Sequence, residues 1–564
     1  MNDPASGMNA PKTSGAAQAR RWRLLGAAAA AALVLGGAAE MLYRASWTLR
    51  AGRPAGGAEE GYFSLYIVGE STAAGEPYNG QPNVPGRPIT LAALVSSLLG
   101  DRFQGREVRV FDLSRSGESV YPQSVALEQA LRLRGGAAPG AVLVYAGHND
   151  AMSPHGPLPL EWFRENVLDR SMLLSDLSFH AEKLLPFLRV RTPRTYERHL
   201  RRIVEMSLKS GLVPVLSTLV SNTADIDPGL FPGERLSPRH PRRAGLSLAE
   251  ITAMLEKGQA LEDQGRAGAA LSYYLAQAGE HPQARAYLEY RAGKCYQAAG
   301  RYEDAARSYR RALDLSAFDN FPRATGRQND FIRALGKQYA VPVVDVAAIF
   351  ERNSPHGLPG NELFADGVHP NITGYLLLAN ACARSIAGAF NEPVKKQWAG
   401  PEEVFSYFSY GKQRQANALI TSGRYLFNIA ALHACPGRRL RTARARFRGA
   451  VELDPDSFSA WLALGLAEAA LRGALLSDEE SVDWLLKHGL GTYHRGQFYL
   501  APDQLPEVLA KLASFGPPES IAAEVPRGAA LKQGLGPGGR GEYALTRGQL
   551  LEILRKLYPV SGSG

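Results

Sequence analysis

What is scarce in this 564-residue chain narrows its chemistry first. It has three cysteines, Cys295, Cys382 and Cys435, an odd and widely spaced set. That is too few for a disulfide framework. No CxxC or HExxH spacing occurs, which removes the common structural-zinc and zinc-protease signatures. No GxxxxGKS/T loop occurs either. The one GxGxxG match, at 534–539, sits in a Gly/Pro stretch with no strand before it. A dinucleotide or P-loop enzyme is therefore not expected. Excess charge is modest. With 64 basic and 54 acidic residues the net +10 permits an anionic partner without showing one. What is present is ordinary globular material, 45% hydrophobic and 21% charged, so wholesale disorder is not expected. At roughly 150 residues per domain the length predicts three or four units.

A long apolar run is also lacking at the N-terminus. The run at 24–39 is short for a spanning helix and rich in Ala and Gly. It follows Arg20, Arg21 and Arg23, and a cationic flank before an apolar run is the pattern of a secretory signal or signal anchor. It extends past Glu40 through Met41, Leu42 and Tyr43. We read 1–23 as a disordered cytoplasmic tail and 24–43 as an uncleaved signal anchor helix. The rest would then be membrane-anchored and extracytoplasmic, which means periplasmic in a Gram-negative bacterium. A soluble Ala-rich helix is the ordinary alternative. Gly37 and Ala39 give a small-x-small cleavage pattern, and Arg44, Arg50 and Arg53 run against the positive-inside rule.

Beyond a Gly/Ala/Pro/Glu linker at 51–60, strands and helices alternate. Strands are expected at 62–68, 108–113, 141–145 and 212–220, with helices at 91–99, 124–133 and 197–210. This alternation predicts an α/β fold with a parallel sheet covered on both faces. A Pro- and Arg-rich loop, 227–243, then interrupts it. Residues 249–319 read as helical and internally repetitive. Gly258, Leu261, Gly265, Ala270 and Tyr274 recur 35 positions on as Gly293, Tyr296, Gly300, Ala305 and Tyr309. A fifth strand at 341–346 and a helix at 373–387 resume the α/β pattern. Downstream, Phe447, Ala450 and Pro455 close another helical repeat, and Trp461, Leu464 and Gly465 open the next. Past 476 a short hydrophobic segment near Trp484, a Gly-rich linker at 534–541 and a final helix near 550–557 are discernible.

Ligands of open α/β sheets gather at the carboxyl ends of the strands. Four short motifs are expected there. Ser71 follows the first strand at a sharp turn, Gly117 follows the second and Asn149 the third. Asp366 and His369 lie three residues apart on the last loop. Together they hold the parts of serine acyl chemistry. A hydroxyl is a poor nucleophile until a base takes its proton. His369 would take it, and Asp366 would fix the imidazole tautomer. The Ser71 and Gly117 N–H groups and the Asn149 amide would form the oxyanion hole. Each motif alone is common. A Gly-x-Ser is often a turn with a capping Ser, His148 and Asp150 are ordinary loop-packing or capping residues, and Asp-Gly and His-Pro favour turns. Their joint order is the signal.

The order Gly-x-Ser, Gly, Gly-x-Asn-Asp and Asp-x-x-His resembles the SGNH (GDSL-type) hydrolase family. The resemblance covers about 62–225 and 325–390, and 218–222 is similar to the family's fourth-strand end. It implies a flavodoxin-like three-layer fold, esterase, lipase, deacetylase or O-acetyltransferase chemistry, and no metal or organic cofactor. The usual Gly-Asp-Ser-Leu is Gly69-Glu70-Ser71-Thr72 here, and the loop beside Glu70 must absorb one extra methylene. Ser119, in a second Gly-Glu-Ser, is a rival nucleophile by motif, but its strand position suits the oxyanion glycine instead. The helical segments resemble tetratricopeptide repeats, normally 34 residues long.

The expected organisation is a first SGNH hydrolase part at 61–226 and a tetratricopeptide-like insertion at 245–320. A second hydrolase part at 325–392, C-terminal tetratricopeptide-like repeats at 400–475 and an uncharacterised tail at 476–564 follow. The expected activity is hydrolysis of an acyl, in the first instance acetyl, ester of a carbohydrate or lipid. The alternatives are an O-acetyltransferase on cell-surface polysaccharide and a repeat scaffold with an inactive hydrolase domain. Expected partners are a small ester or acylated glycan, a protein docked on the repeats, and the membrane. Nucleic acid is not among them. Six arginines within 438–448 invite that reading, but Leu440, Ala443, Phe447 and Ala450 form one apolar helix face and leave the arginines for a solvated one. Cys295 and Cys382 are expected to be buried and inert.

Overall fold

The computed structural model describes residues 36–39, 41–42, 61–80, 84–132, 134, 138–152, 163, 173–174, 177, 193–230, 246–316, 323–430 and 433–471. The expected tail at 1–23, nearly all of the anchor at 24–43 and everything after 471 lie outside these residues. Among the described residues no helix is long and apolar enough to cross a membrane. The chain divides into two compact units, and Gly57–Leu131, Gly135–Pro154 and Arg191–Gly564 make up the one described below. Of the other unit, Met1–Gly56, Arg132–Arg134 and His155–Val190, few residues are described.

The α/β part runs β1 (Tyr62–Gly69), α1 (Leu91–Leu99), β2 (Arg102–Phe103), β3 (Arg106–Asp112), α2 (Val120–Arg132), β4 (Gly140–Tyr145), α3 (Pro193–Lys209) and β5 (Val213–Ser217). Four helices follow, α4 (Leu248–Asp263), α5 (Ala267–Glu280), α6 (Arg285–Ala298) and α7 (Tyr302–Leu315). Then come α8 (Gly326–Tyr339), β6 (Val343–Val344), α9 (Val346–Asn353) and α10 (Ile372–Ala389). The described chain ends in α11 (Pro401–Tyr407), α12 (Lys412–Ala430), α13 (Gly437–Leu453) and α14 (Phe458–Leu471).

The sheet order is β2-β3-β1-β4-β5-β6, parallel except for the β2–β3 pair. Counting the parallel strands alone gives 2-1-3-4-5, a doubly wound order. The chain steps from β1 to β3 on one side, then crosses β1 to reach β4. Because parallel crossovers are right-handed, that reversal puts α1 and α2 on opposite faces. The register runs Ser64 against both Arg109 and Gly140, and Gly69 against Tyr145. Strands buried on both faces need continuous apolar runs. Accordingly 63–69 and 140–145 are entirely buried. The loops after β1, β3 and β4 leave from one edge beside the reversal.

Two details depart from expectation. The apolar run 341–346 is not one strand. Asp345 accepts from the Ala348 N–H and caps α9, so the strand stops after Val344. The short antiparallel β2 had no alternating pattern to reveal it. The insertion is four helices packed in sequence, and its repeated glycines meet its repeated tyrosines. A Cβ on Gly258 would lie 2.3 Å from the Tyr274 ring, and one on Gly293 2.6 Å from the Tyr309 ring. Only a bare Cα lets these helices approach so closely. Residues between 398 and 418 share the core of the sheet. Trp398, Val404, Phe408, Tyr410 and Ala418 belong to the same hydrophobic core as the sheet residues Phe63, Leu65 and Val142.

Candidate active site

The turn after β1 is tightly built. A Cβ on Gly69 would strike Ala73 and the Tyr145 carbonyl at 2.3 and 2.6 Å, so glycine is required where the strand ends. Ala74 N donates to Glu70 O and Glu76 N to Ser71 O, which wraps the chain around Ser71. Ser71 is buried to the rim, with 9% of its surface exposed.

On the far loop, Asp366 is fully engaged. Its Oδ1 accepts from the Val368 and His369 N–H groups at 2.9 Å each. Its Oδ2 lies 2.7 Å from His369 Nδ1, and His369 Nε2 lies 2.8 Å from Ser71 Oγ. A carboxylate oxygen only accepts, so Nδ1 carries the proton and Nε2 is left to accept from the Ser71 hydroxyl. Ser71, His369 and Asp366 therefore form one hydrogen-bonded line across 298 residues of sequence. Burial pulls the His369 pKa down, but the charge and hydrogen bond of Asp366, with the charge of Glu76, more than offset it and leave the imidazole above its ordinary 6.5.

The loops of the two other candidates join this turn. Glu70 is buried and accepts from Gly147 N and Asn149 N at 3.0 Å each, so its longer carboxylate ties the β4 loop to the residue beside Ser71. Asn149 Nδ2 donates to the Glu118 carbonyl at 2.8 Å, one residue from Gly117. Gly117 itself has φ +79°, a left-handed turn that favours glycine. Asp150 accepts from Val120 N at the start of α2, and His148 Nε2 donates to the Val220 carbonyl at 2.8 Å. Burial holds the His148 pKa down to about 4, so it is a neutral peg between loops. Ser119 is buried, and it is Ser71 that His369 Nε2 meets. Cys295 on α6 and Cys382 on α10 are free and buried, with thiols pushed up by burial to about 11 and 12. Among the described residues no His/Cys/Asp/Glu group could hold a metal ion.

The structural neighbours are GDSL-like lipases and acetylxylan esterases. A GDSL-like lipase from Bacteroides thetaiotaomicron matches at 11% identity, covering 61% of this chain and 96% of its own, with TM-score 0.26. The acetylxylan esterase Axe2 from Geobacillus stearothermophilus matches at 14% identity over 59% of this chain and 96% of its own, with TM-score 0.27. The α/β hydrolase LAE5 from the metagenome of Lake Arreo, Spain, matches at 16% identity over 59% and 97%, with TM-score 0.27. Scores this low carry no weight for the activity. No protein-family model and no curated protein matches the sequence.

Three groups at the site escaped the sequence reading or were misplaced by it. Asn222, in the segment after β5, donates from Nδ2 to the Asp366 carbonyl at 3.2 Å and from its backbone N to the Gly367 carbonyl at 2.9 Å. Tyr425 of α12 places its ring 5.4 Å from the His369 imidazole, tilted by 60°. The arginines of α13 do not all face water. Arg439 is fully buried and pairs with Asp227 at 2.8 Å, and Arg446 turns inward onto the loop that carries Asp366. The signal was in the spacing. Arg439 and Arg446 are seven apart and flank one side of the apolar stripe, while Arg444 and Arg448 flank the other and pair with Glu468.

Proposed function

We propose that the protein is a serine ester hydrolase of the SGNH (GDSL) type. It would remove a small acyl group, in the first instance acetyl, from a carbohydrate or lipid ester. The observation that carries this is the unbroken Ser71–His369–Asp366 line at 2.8 and 2.7 Å. Ser71 Oγ attacks the acyl carbon as its proton passes to His369 Nε2. The developing oxyanion would rest against the Ser71 and Gly117 N–H groups and the Asn149 amide, one such donor being worth about 3–4 kcal/mol. Collapse expels the alcohol, which takes the proton from His369, and water then repeats the sequence on the acyl-enzyme. Asp366 steadies the imidazolium throughout.

The same groups would serve an O-acetyltransferase, where a glycan hydroxyl replaces water. Intact relay geometry weighs against an inactive scaffold. The cationic flank and apolar run at 20–39 support attachment to a membrane with the hydrolase outside the cytoplasm, and the helical insertion would offer a surface to a protein partner. The test is Ser71→Ala on a simple aryl acetate, with labelling by a fluorophosphonate probe. Turnover and labelling should both vanish while the melting transition stays. Undiminished turnover would refute the assignment.

A further inference from the structure

The loop that carries the acid and base of the site is held by its carbonyls. Backbone carbonyls buried away from water need donors, and 364–366 and 368–369 are all buried. Four consecutive carbonyls, Phe364 to Gly367, each receive a donor from a distant residue. Asn222 takes Asp366 O and Gly367 O. Arg446 takes the other two, with Nη2 2.7 Å from Phe364 O and Nε 3.1 Å from Ala365 O. The loop closes on itself through Ala365 N to His369 O at 2.8 Å.

One planar guanidinium edge thus fixes two adjacent carbonyls immediately before Asp366. A lysine ammonium is a single point donor and cannot reproduce that fork. Arg446 lies on α13, which packs along α12, and α12 supplies Tyr425 beside the His369 ring. Residues of two C-terminal helices therefore meet the acid–base loop, Arg446 at its carbonyls and Tyr425 at the His369 ring. The same region reaches the loop beyond Ser71, since Arg87 N donates to Phe408 O and Arg414 Nε to Val84 O.

We infer that the C-terminal helices complete the active site, with Arg446 as the positioning residue that sets Asp366 and His369 against Ser71. The role rests on the serine-hydrolase reading above and acts through backbone geometry, not through contact with substrate. A catalytic group held within a fraction of an ångström loses rate steeply when its support goes, about 10²-fold per ångström.

The experiment compares full-length wild type with Arg446→Met, Arg446→Lys and Arg441→Met. Arg441 sits on the exposed side of α13 and serves as control. Two readouts are taken, kcat and KM on an aryl acetate and the low-field proton resonance of His369 Nδ1–H, assigned with Asp366→Asn. Arg446→Met should lower kcat about 10- to 100-fold with KM within about twofold, and should shift or broaden the resonance. Arg446→Lys should recover only part of this, and Arg441→Met should match wild type. A folded Arg446→Met with wild-type kcat and an unmoved resonance overturns the role. So does a rise in KM at constant kcat, which would make Arg446 a substrate ligand. Should Arg446→Met fail to fold, Arg446→Lys decides on the same terms. Wild type that shows the resonance but no turnover sinks the esterase reading alone, and the resonance of the variants still settles the positioning.

Discussion

The two halves of the site are supported in different ways. The nucleophile half is held largely by the segments that follow adjacent strands, with one remote group, the Tyr375 hydroxyl of α10, 2.8 and 2.7 Å from the Thr72 and Glu76 carbonyls. Glu70 beside Ser71 binds the backbone at Gly147 and Asn149, and Asp150 binds the start of α2. Gln123 reaches back to Gly69 N and to Glu118. These partners sit on the loops, and at the start of α2, that follow adjacent strands of the sheet. The base half is held from outside. Its loop hangs on Asn222, 144 residues earlier, and on Arg446 of α13, 81 and 82 residues later. Local support is written near the motif. Remote support comes from α13, outside the α/β pattern, so the base half should be the more sensitive to changes far from the chemistry.

The sharpest break in that contrast comes from Asp366→Asn. The amide cannot accept equally at Oδ1 and Oδ2, and its NH₂ favours the wrong imidazole tautomer. A loss of about 10³- to 10⁴-fold in kcat is expected, with little change in KM, in steady-state assays on an aryl acetate. A loss under tenfold would mean that His369 is oriented chiefly by its other neighbours. Next in size is Glu70→Gln in the nucleophile half. Glutamine keeps one acceptor but points a donor at the second buried N–H. That orphaned group should destabilise the fold by about 1–3 kcal/mol, read from the chemical-denaturation midpoint. An unchanged midpoint would show that the Gly147–Asn149 loop holds itself.

The same contrast explains how much could be read beforehand. The strands at 62–69 and 140–145, the helix at 91–99 and the residues Ser71, Asp366 and His369 were legible because each is encoded by local pattern. Buried parallel strands give apolar runs, and the turn that exposes Ser71 needs Gly69. That Ser71, Asp366 and His369 leave strand ends on one side of the sheet was legible from the motif order. Glu70 was legible as a residue but not as a clamp, since its partners are backbone N–H groups that have no letter in the sequence. The same holds for Arg446, whose partners are carbonyls. Its helix showed an apolar stripe and six arginines, and taking the stripe as the whole buried face placed all six in water, although Arg439 and Arg446 flank it. Tertiary burial against Asp227 and the Asp366 loop overrode that for Arg439 and Arg446.

The smallest effect tests the electrostatics that both halves share. Burial pulls the His369 pKa down, and Glu76, on the nucleophile loop, contributes after Asp366 to holding it above its ordinary value. His369 must be neutral to take the Ser71 proton, so activity should fall as pH drops through a value above 6.5. Glu76 Oε1 also accepts from Ser116 Oγ at 3.1 Å. Glu76→Gln keeps an acceptor for that bond and removes only the charge. Without the negative charge the imidazolium is less favoured, so the acid limb of kcat/KM should move to lower pH. Because Glu76 is partly solvated, the move should be small and should shrink as salt is raised. The plateau at higher pH should stay. The variant would then outperform wild type below the limb, a gain of function that mere loss of structure cannot produce. A limb that stays put, or shifts upward, would mean that His369 takes its proton affinity from Asp366 alone.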